Sequence, residues 1–134
     1  MDKLKALVVD DEESVCEAVK AILEAEGFEV VTTTSSLDAV ERVRRDRYDF
    51  ILSDLKMPEL DGLQFYDKVR EIENRSIFLV MTAYGDLYPA VDAVSRGIYD
   101  YLQKPFTPDE LRLPVRQRLK LVKEKRGSDN TGGA

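Results

Sequence analysis

Two short apolar runs, each ending in acid, constrain this chain more than anything else in it. Leu7-Val8-Val9 leads into Asp10-Asp11, and Phe50-Ile51-Leu52 leads through Ser53 into Asp54. Runs of this length, flanked by polar residues and lying between helical patterns, read as parallel strands covered on both faces. In an open parallel sheet, ligands bind outside the carboxyl ends of the strands, near the point where strand order reverses. Two such strands therefore bring three carboxylates to one crevice. Carboxylates that close repel, and one is normally pushed toward protonation. A hard cation removes the conflict, and Mg²⁺ is the usual partner of one or two carboxylates plus a phosphate.

The rest of the chain repeats the alternation. Strands are expected over residues 4–9, 28–32, 48–53, 77–81 and 98–102. Ser14 and Glu17 fit a capping box, with Val15, Val19, Ile22 and Leu23 following at helical spacing and Gly27 as a left-handed stop. Ser35 or Ser36 can cap a second helix with Leu37, Val40 and Val43 as its apolar stripe. Residues 55–62, with Pro58 and Gly62, read as a loop, and Gly62 as a permissive loop-to-helix residue. A third helix is expected over 63–72, with Leu63, Phe65, Tyr66, Val69 and Ile72 apolar, and a fourth over 85–97. Thr107, Pro108 and Glu110 form a strong start for a fifth. Its face carries Leu111, Val115, Leu119 and Val122, and Pro114 should bend it.

Five strands alternating with five helices predict an α/β, doubly wound, five-stranded parallel sheet of flavodoxin-like order 2-1-3-4-5. That order puts the first and third strands side by side, so Asp10-Asp11 and Asp54 become neighbours. Residues 1–124 read as one domain. From Gly127 the composition turns to Gly, Ser, Asp, Asn and Thr, so 125–134 reads as a flexible tail or the start of a linker.

Composition removes whole classes of chemistry. The 134 residues contain no histidine, which excludes Ser-His and Cys-His nucleophilic pairs, His-ligated zinc and a phosphohistidine intermediate. The single cysteine, Cys16, excludes an internal disulfide and reads as a small core hydrophobe. A net charge of -6 argues against direct nucleic-acid binding by this segment. No run is apolar and long enough to span a membrane, and the N-terminus has no apolar signal segment, so a cytoplasmic location is expected.

Four pieces then resemble one family. They are Val8-Val9-Asp10-Asp11-Glu12, Asp54-Leu55-Lys56-Met57-Pro58 with Asp61-Gly62, Met81-Thr82-Ala83, and Tyr99-Asp100-Tyr101-Leu102-Gln103-Lys104-Pro105-Phe106. In this order, each at the end of an expected strand, they resemble the receiver domain of bacterial two-component response regulators. The stretch from Ala83 to Leu102 resembles receivers of nitrogen-regulator-type transcription factors. The resemblance implies a phosphorylation-dependent signalling switch rather than an enzyme. Asp54 would take a phosphoryl group from a separate histidine kinase, since this chain has no histidine. Asp10, Asp11, Asp54 and the backbone carbonyl of Lys56 would hold Mg²⁺. Lys104 and Thr82 would contact phosphoryl oxygens, and the Lys104–Pro105 bond would be cis. Tyr101 would change rotamer in response to Thr82. The altered surface would be the fourth helix, last strand and fifth helix, acting on a C-terminal output domain, with transcription as the expected output. The same face, with Tyr88, Ile98, Tyr101 and Leu121, is expected to pair two copies of the chain.

Three other readings fit less well. A haloacid-dehalogenase-like phosphatase needs a second Asp two residues after the nucleophile, where this chain has Lys56. A flavodoxin-like electron carrier needs a Ser/Thr/Gly-rich loop after the first strand, where this chain has Asp-Asp-Glu-Glu. A degenerate receiver would not keep the complete acid, threonine and lysine set.

Overall fold

The computed structural model describes residues 3–83, 98 and 100–132. The expected helix over 85–97, with Tyr88, lies outside the described residues, as does the side chain of Leu121. The strands are β1 (Lys5–Val9), β2 (Glu29–Thr33), β3 (Phe50–Asp54), β4 (Ile77–Ala83) and β5 (Asp100–Lys104). The described helices are α1 (Glu13–Ala25), α2 (Ser36–Arg45), α3 (Gly62–Ile72) and α4 (Pro108–Gly132). All strand pairs are parallel and the order is β2-β1-β3-β4-β5, as expected.

Alternating side chains supply a separate core on each face of the sheet. Leu7, Val9, Ile51, Phe78 and Val80 point to the face covered by α2 and α3, where they meet Val40, Val43, Phe65 and Val69. Ala6, Val8, Phe50, Leu52, Leu79 and Met81 point to the other face and meet Val19 and Leu23 of α1 and Leu111 and Val115 of α4. This double coverage is why β1 and β3 read as unbroken apolar runs. Each large side chain buried in this way contributes about 1.5–3 kcal/mol. Cys16 packs into the second core as a hydrophobe. Burial, then the charge of Asp10, pushes its thiol up to about 11.

Several local expectations need correction. Ser14 does not cap α1: the helix starts at Glu13, with Glu12 as N-cap and no side-chain cap. The side chain of Asp10 reaches the Glu12 N–H instead, at 2.9 Å, so the turn is held two residues earlier. Leu37 is 51% exposed, and the buried stripe of α2 is Ser36, Ala39, Val40 and Val43. Ser35 is the cap, accepting from the Asp38 N–H at 3.1 Å. Its neighbour Ser36 is buried because its hydroxyl accepts the Leu60 N–H, at 2.9 Å. Ile98 is 2% exposed and packs in the core, so it adds no apolar surface. Gly27 stops α1 at φ +95° as expected.

Thr107 and Glu110 cap α4 reciprocally, through the Glu110 N–H to Thr107 Oγ1 at 3.2 Å and the Thr107 N–H to Glu110 Oε1 at 3.4 Å. The helix continues across Pro114 to Gly132, through the stretch from Gly127 that reads in sequence as a flexible tail or the start of a linker. Once a helix is nucleated, each added residue gains a hydrogen bond for two more fixed dihedrals, and the Leu119–Arg126 run of good helix formers carries it outward. Arg116 clasps Glu26 at the end of α1, with contacts of 2.8 and 3.1 Å, and Arg112 approaches the same carboxylate at 3.5 Å.

Candidate active site

Strand register assembles the site. Val9 pairs with Ser53, Asp54 with Met81, and Ala83 with Lys104. Asp10, Asp54, Thr82 and Lys104 therefore meet at the carboxyl end of four adjacent strands. Asp10 is fully buried. One of its oxygens, Oδ1, accepts the Glu12 N–H, and Oδ2 accepts from Lys104 Nζ at 2.6 Å. The same ammonium lies 3.4 Å from Asp54 Oδ1. Lys104 thus bridges the two buried carboxylates.

The electrostatics follow from that geometry. Burial raises the Asp54 carboxyl to about 6, and the charge of Asp10 adds to it, while Lys104 opposes both. A hydrogen bond with Asp11 also favours the protonated form. The expected push toward protonation is present, but burial is its first cause and repulsion its second. Burial alone would lower the Lys104 ammonium; its hydrogen bond to Asp10 and the charges of Asp10 and Asp54 outweigh this and raise it.

The acidic group is wider than the acid pair. Carboxylate oxygens of Asp10, Asp11 and Glu12 all lie within 4.8 Å of one another. Glu12 was in the motif but not among the expected ligands. Lys56 follows Asp54 in the loop, with its side chain exposed. Thr82 is 2% exposed, and its hydroxyl donates to the Ala83 carbonyl at 3.0 Å. Tyr101 faces outward, 49% exposed. The Lys104–Pro105 peptide bond is cis.

The loop after Asp54 is closed by backbone. Leu55 N–H donates to the Met81 carbonyl at 2.9 Å, and Gly62 N–H to the Leu55 carbonyl at 2.7 Å. Gly62 is needed for space rather than for backbone freedom. A Cβ there would sit 2.5 Å from the Asp54 carbonyl oxygen and 2.9 Å from Leu55 Cα. Asp61 caps α3 with a capping box to Gln64 that sequence reading passed over, although Asp followed three residues later by Gln is a recognisable signal. Gly62→Ala should cost about 1–3 kcal/mol in urea denaturation, because main chain cannot step aside as a flexible side chain can. An unchanged midpoint would show that the loop yields.

The comparisons agree with this geometry. The model of the response regulator receiver domain matches residues 6–116. The transcriptional regulatory protein ZraR of Klebsiella oxytoca is 35% identical over 118 residues, covering 88% of this chain and 27% of that protein. The chain thus spans about a quarter of the length of that relative. The structure of NtrX from Brucella abortus in complex with ADP superposes with a TM-score of 0.86 at 29% identity, over 97% of this chain and 30% of that one. The receiver domain of the sensor histidine kinase PA1611 from Pseudomonas aeruginosa, solved with a magnesium ion coordinated in its active site cleft, gives 0.77 at 30% identity, over 87% and 97%. With its sheet order, its acidic crevice and a match across most of its length, this chain belongs to the receiver domain family of response regulators, the phosphorylation-dependent switches of two-component systems.

Proposed function

We propose that Asp54 is the phosphoacceptor and that the phosphoryl group comes from a partner histidine kinase. The observation that carries this reading is a buried carboxylate at the end of β3, bridged by Lys104 to Asp10. A carboxylate can attack phosphorus and form an acyl phosphate. Asp10, Asp11, Asp54 and the Lys56 carbonyl would hold Mg²⁺; the donors are all hard oxygens, which suits that ion. When bound, the metal supplies positive charge to the transferring phosphoryl oxygens. Lys104 would turn from the carboxylates toward the new anion as a point charge. Thr82 would give up its bond to the Ala83 carbonyl and donate to another phosphoryl oxygen. That movement would open space for Tyr101 to turn inward.

The domain would assist only its own phosphorylation and dephosphorylation. Residues 1–124 would form the receiver unit, with 125–134 leading toward a C-terminal output domain. The relative's name, a transcriptional regulatory protein, supports transcription as the output. No described helix is long and apolar enough to cross a membrane, and a cytoplasmic location suits a kinase-fed switch. The exposed Tyr101 supports pairing of two copies through the face that carries β5.

Incubation with acetyl phosphate and Mg²⁺ tests the assignment. One base-labile phosphate should appear per chain. It should vanish in Asp54→Asn and on chelation of the metal. Undiminished labelling of Asp54→Asn would move the acceptor elsewhere.

A further inference from the structure

A cavity opens between α1 and the turn that follows β5. Its volume is about 510 Å³, and Val15, Ala18, Val19 and Phe106 line it. Glu12 and Lys104 also line it. Small-molecule sites commonly measure roughly 300–1,000 Å³ and combine apolar walls with a few polar groups. Lys104 belongs both to this cavity and to the acidic crevice, since its Nζ lies 3.4 Å from Asp54 Oδ1. Whatever fills the cavity therefore has one end at Lys104, the side chain that also contacts Asp54.

We infer that this cavity binds the apolar leaving group of an acyl phosphate, so that the domain prefers donors with a longer hydrocarbon tail than acetyl. The inference rests on the reading of Asp54 as phosphoacceptor and specifies its small-molecule substrate class. Charge favours this occupant. The phosphoryl end is anionic and suits Lys104, while the uncharged tail meets the apolar wall of α1. The carboxylate of Glu12 disfavours leaving groups that carry several further negative charges, such as a nucleoside diphosphate.

The transfer balances without a further reactant. An Asp54 oxygen forms a bond to phosphorus, and the bond from phosphorus to the acyl oxygen breaks. Its electron pair stays on that oxygen, and the tail departs as a carboxylate that needs no proton. The walls of the cavity contact the tail alike before and during transfer. They should therefore act on KM and on kcat/KM, not on the maximal rate.

The test is phosphorylation of the described chain with acetyl, butyryl and hexanoyl phosphate in Mg²⁺-containing buffer, followed by intact-mass spectrometry. Burial of each methylene should raise kcat/KM about three- to fourfold, so butyryl should exceed acetyl by about tenfold. Ala18→Phe, which fills the cavity from an exposed helix position, should bring the ratio near one. Val15→Asn, which makes the wall polar without added bulk, should lower it if the bulkier variant does not fold. Rates that stay flat or fall with tail length, while acetyl phosphate still modifies Asp54, would overturn the inference alone. A rising series that neither variant disturbs would place the gain outside this cavity and overturn it as well. Failure of acetyl phosphate to modify Asp54 would instead overturn the phosphoacceptor reading beneath it.

Discussion

Lys104→Met should destabilise the metal-free protein by about 3–5 kcal/mol, the cost of removing one partner from a buried ion pair. The partner left behind is Asp10, with no exposed surface and an oxygen 2.6 Å from the lost ammonium. Asp54 loses its nearest described cation in the same step. The contrast with surface pairs is quantitative. Lys68 and Glu71 lie 3.9 Å apart on α3 and are well exposed, so Lys68→Met should change stability by no more than about 1 kcal/mol. Urea denaturation at neutral pH checks both. Equal, small effects would mean that Asp10 is compensated in some other way. Added Mg²⁺ should recover part of the loss in Lys104→Met, because a ligand that binds only the folded state stabilises it by mass action.

Asp54→Asn should stabilise the metal-free protein above neutral pH and change it little in acid. The sign follows from proton counting. The folded carboxyl titrates at about 6, above its ordinary value of 3.8, so between those values the folded state holds more protons than the unfolded one. Stability from this group is therefore fully present below about pH 4 and is lost as pH rises through about 6. The loss is at most about 3 kcal/mol. Asparagine is neutral throughout and escapes it. Thermal melts of both proteins at pH 4.5 and pH 8 separate the cases: a gain in Tm confined to the higher pH is expected, and a loss at pH 8 would show that Lys104 stabilises the ionised form more than burial opposes it. The same titration predicts that, at low Mg²⁺, phosphorylation of the wild-type chain rises with pH through about 6, as the nucleophile loses its proton. A stabilising Asp54→Asn with no phosphate uptake is the pattern of a site that gives up stability to hold a reactive group.

Much of this was legible beforehand for a specific reason. Parallel strands buried on both faces must be apolar along their whole length, so β1 and β3 stood out, and the acids that end them marked the crevice. The capping residues Thr107 and Glu110 and the stop at Gly27 were legible because they act within a few residues of themselves. Local signals failed where another contact competed. Ser14 had the right spacing for a cap, but Asp10 took the turn at Glu12. Leu37 had the right spacing for a stripe, but the face of α2 is set by Ser36, which is held to the loop before α3 through Leu60.

By itself, then, the sequence determined the alternation, the order of strands and the identity of the residues at their ends, because these follow from hydrophobic period and chain connectivity. Only the tertiary structure decided how those residues share charge. Whether Lys104 pairs with Asp10, with Asp54 or with both depends on register across four strands. The raised titration of Asp54 depends on burial that no single strand displays. The need for glycine at 62 appears only when the main chain of Asp54 and Leu55 is seen to leave no room for a Cβ. These are properties of distances between segments far apart in the chain, and periodicity carries no information about such distances.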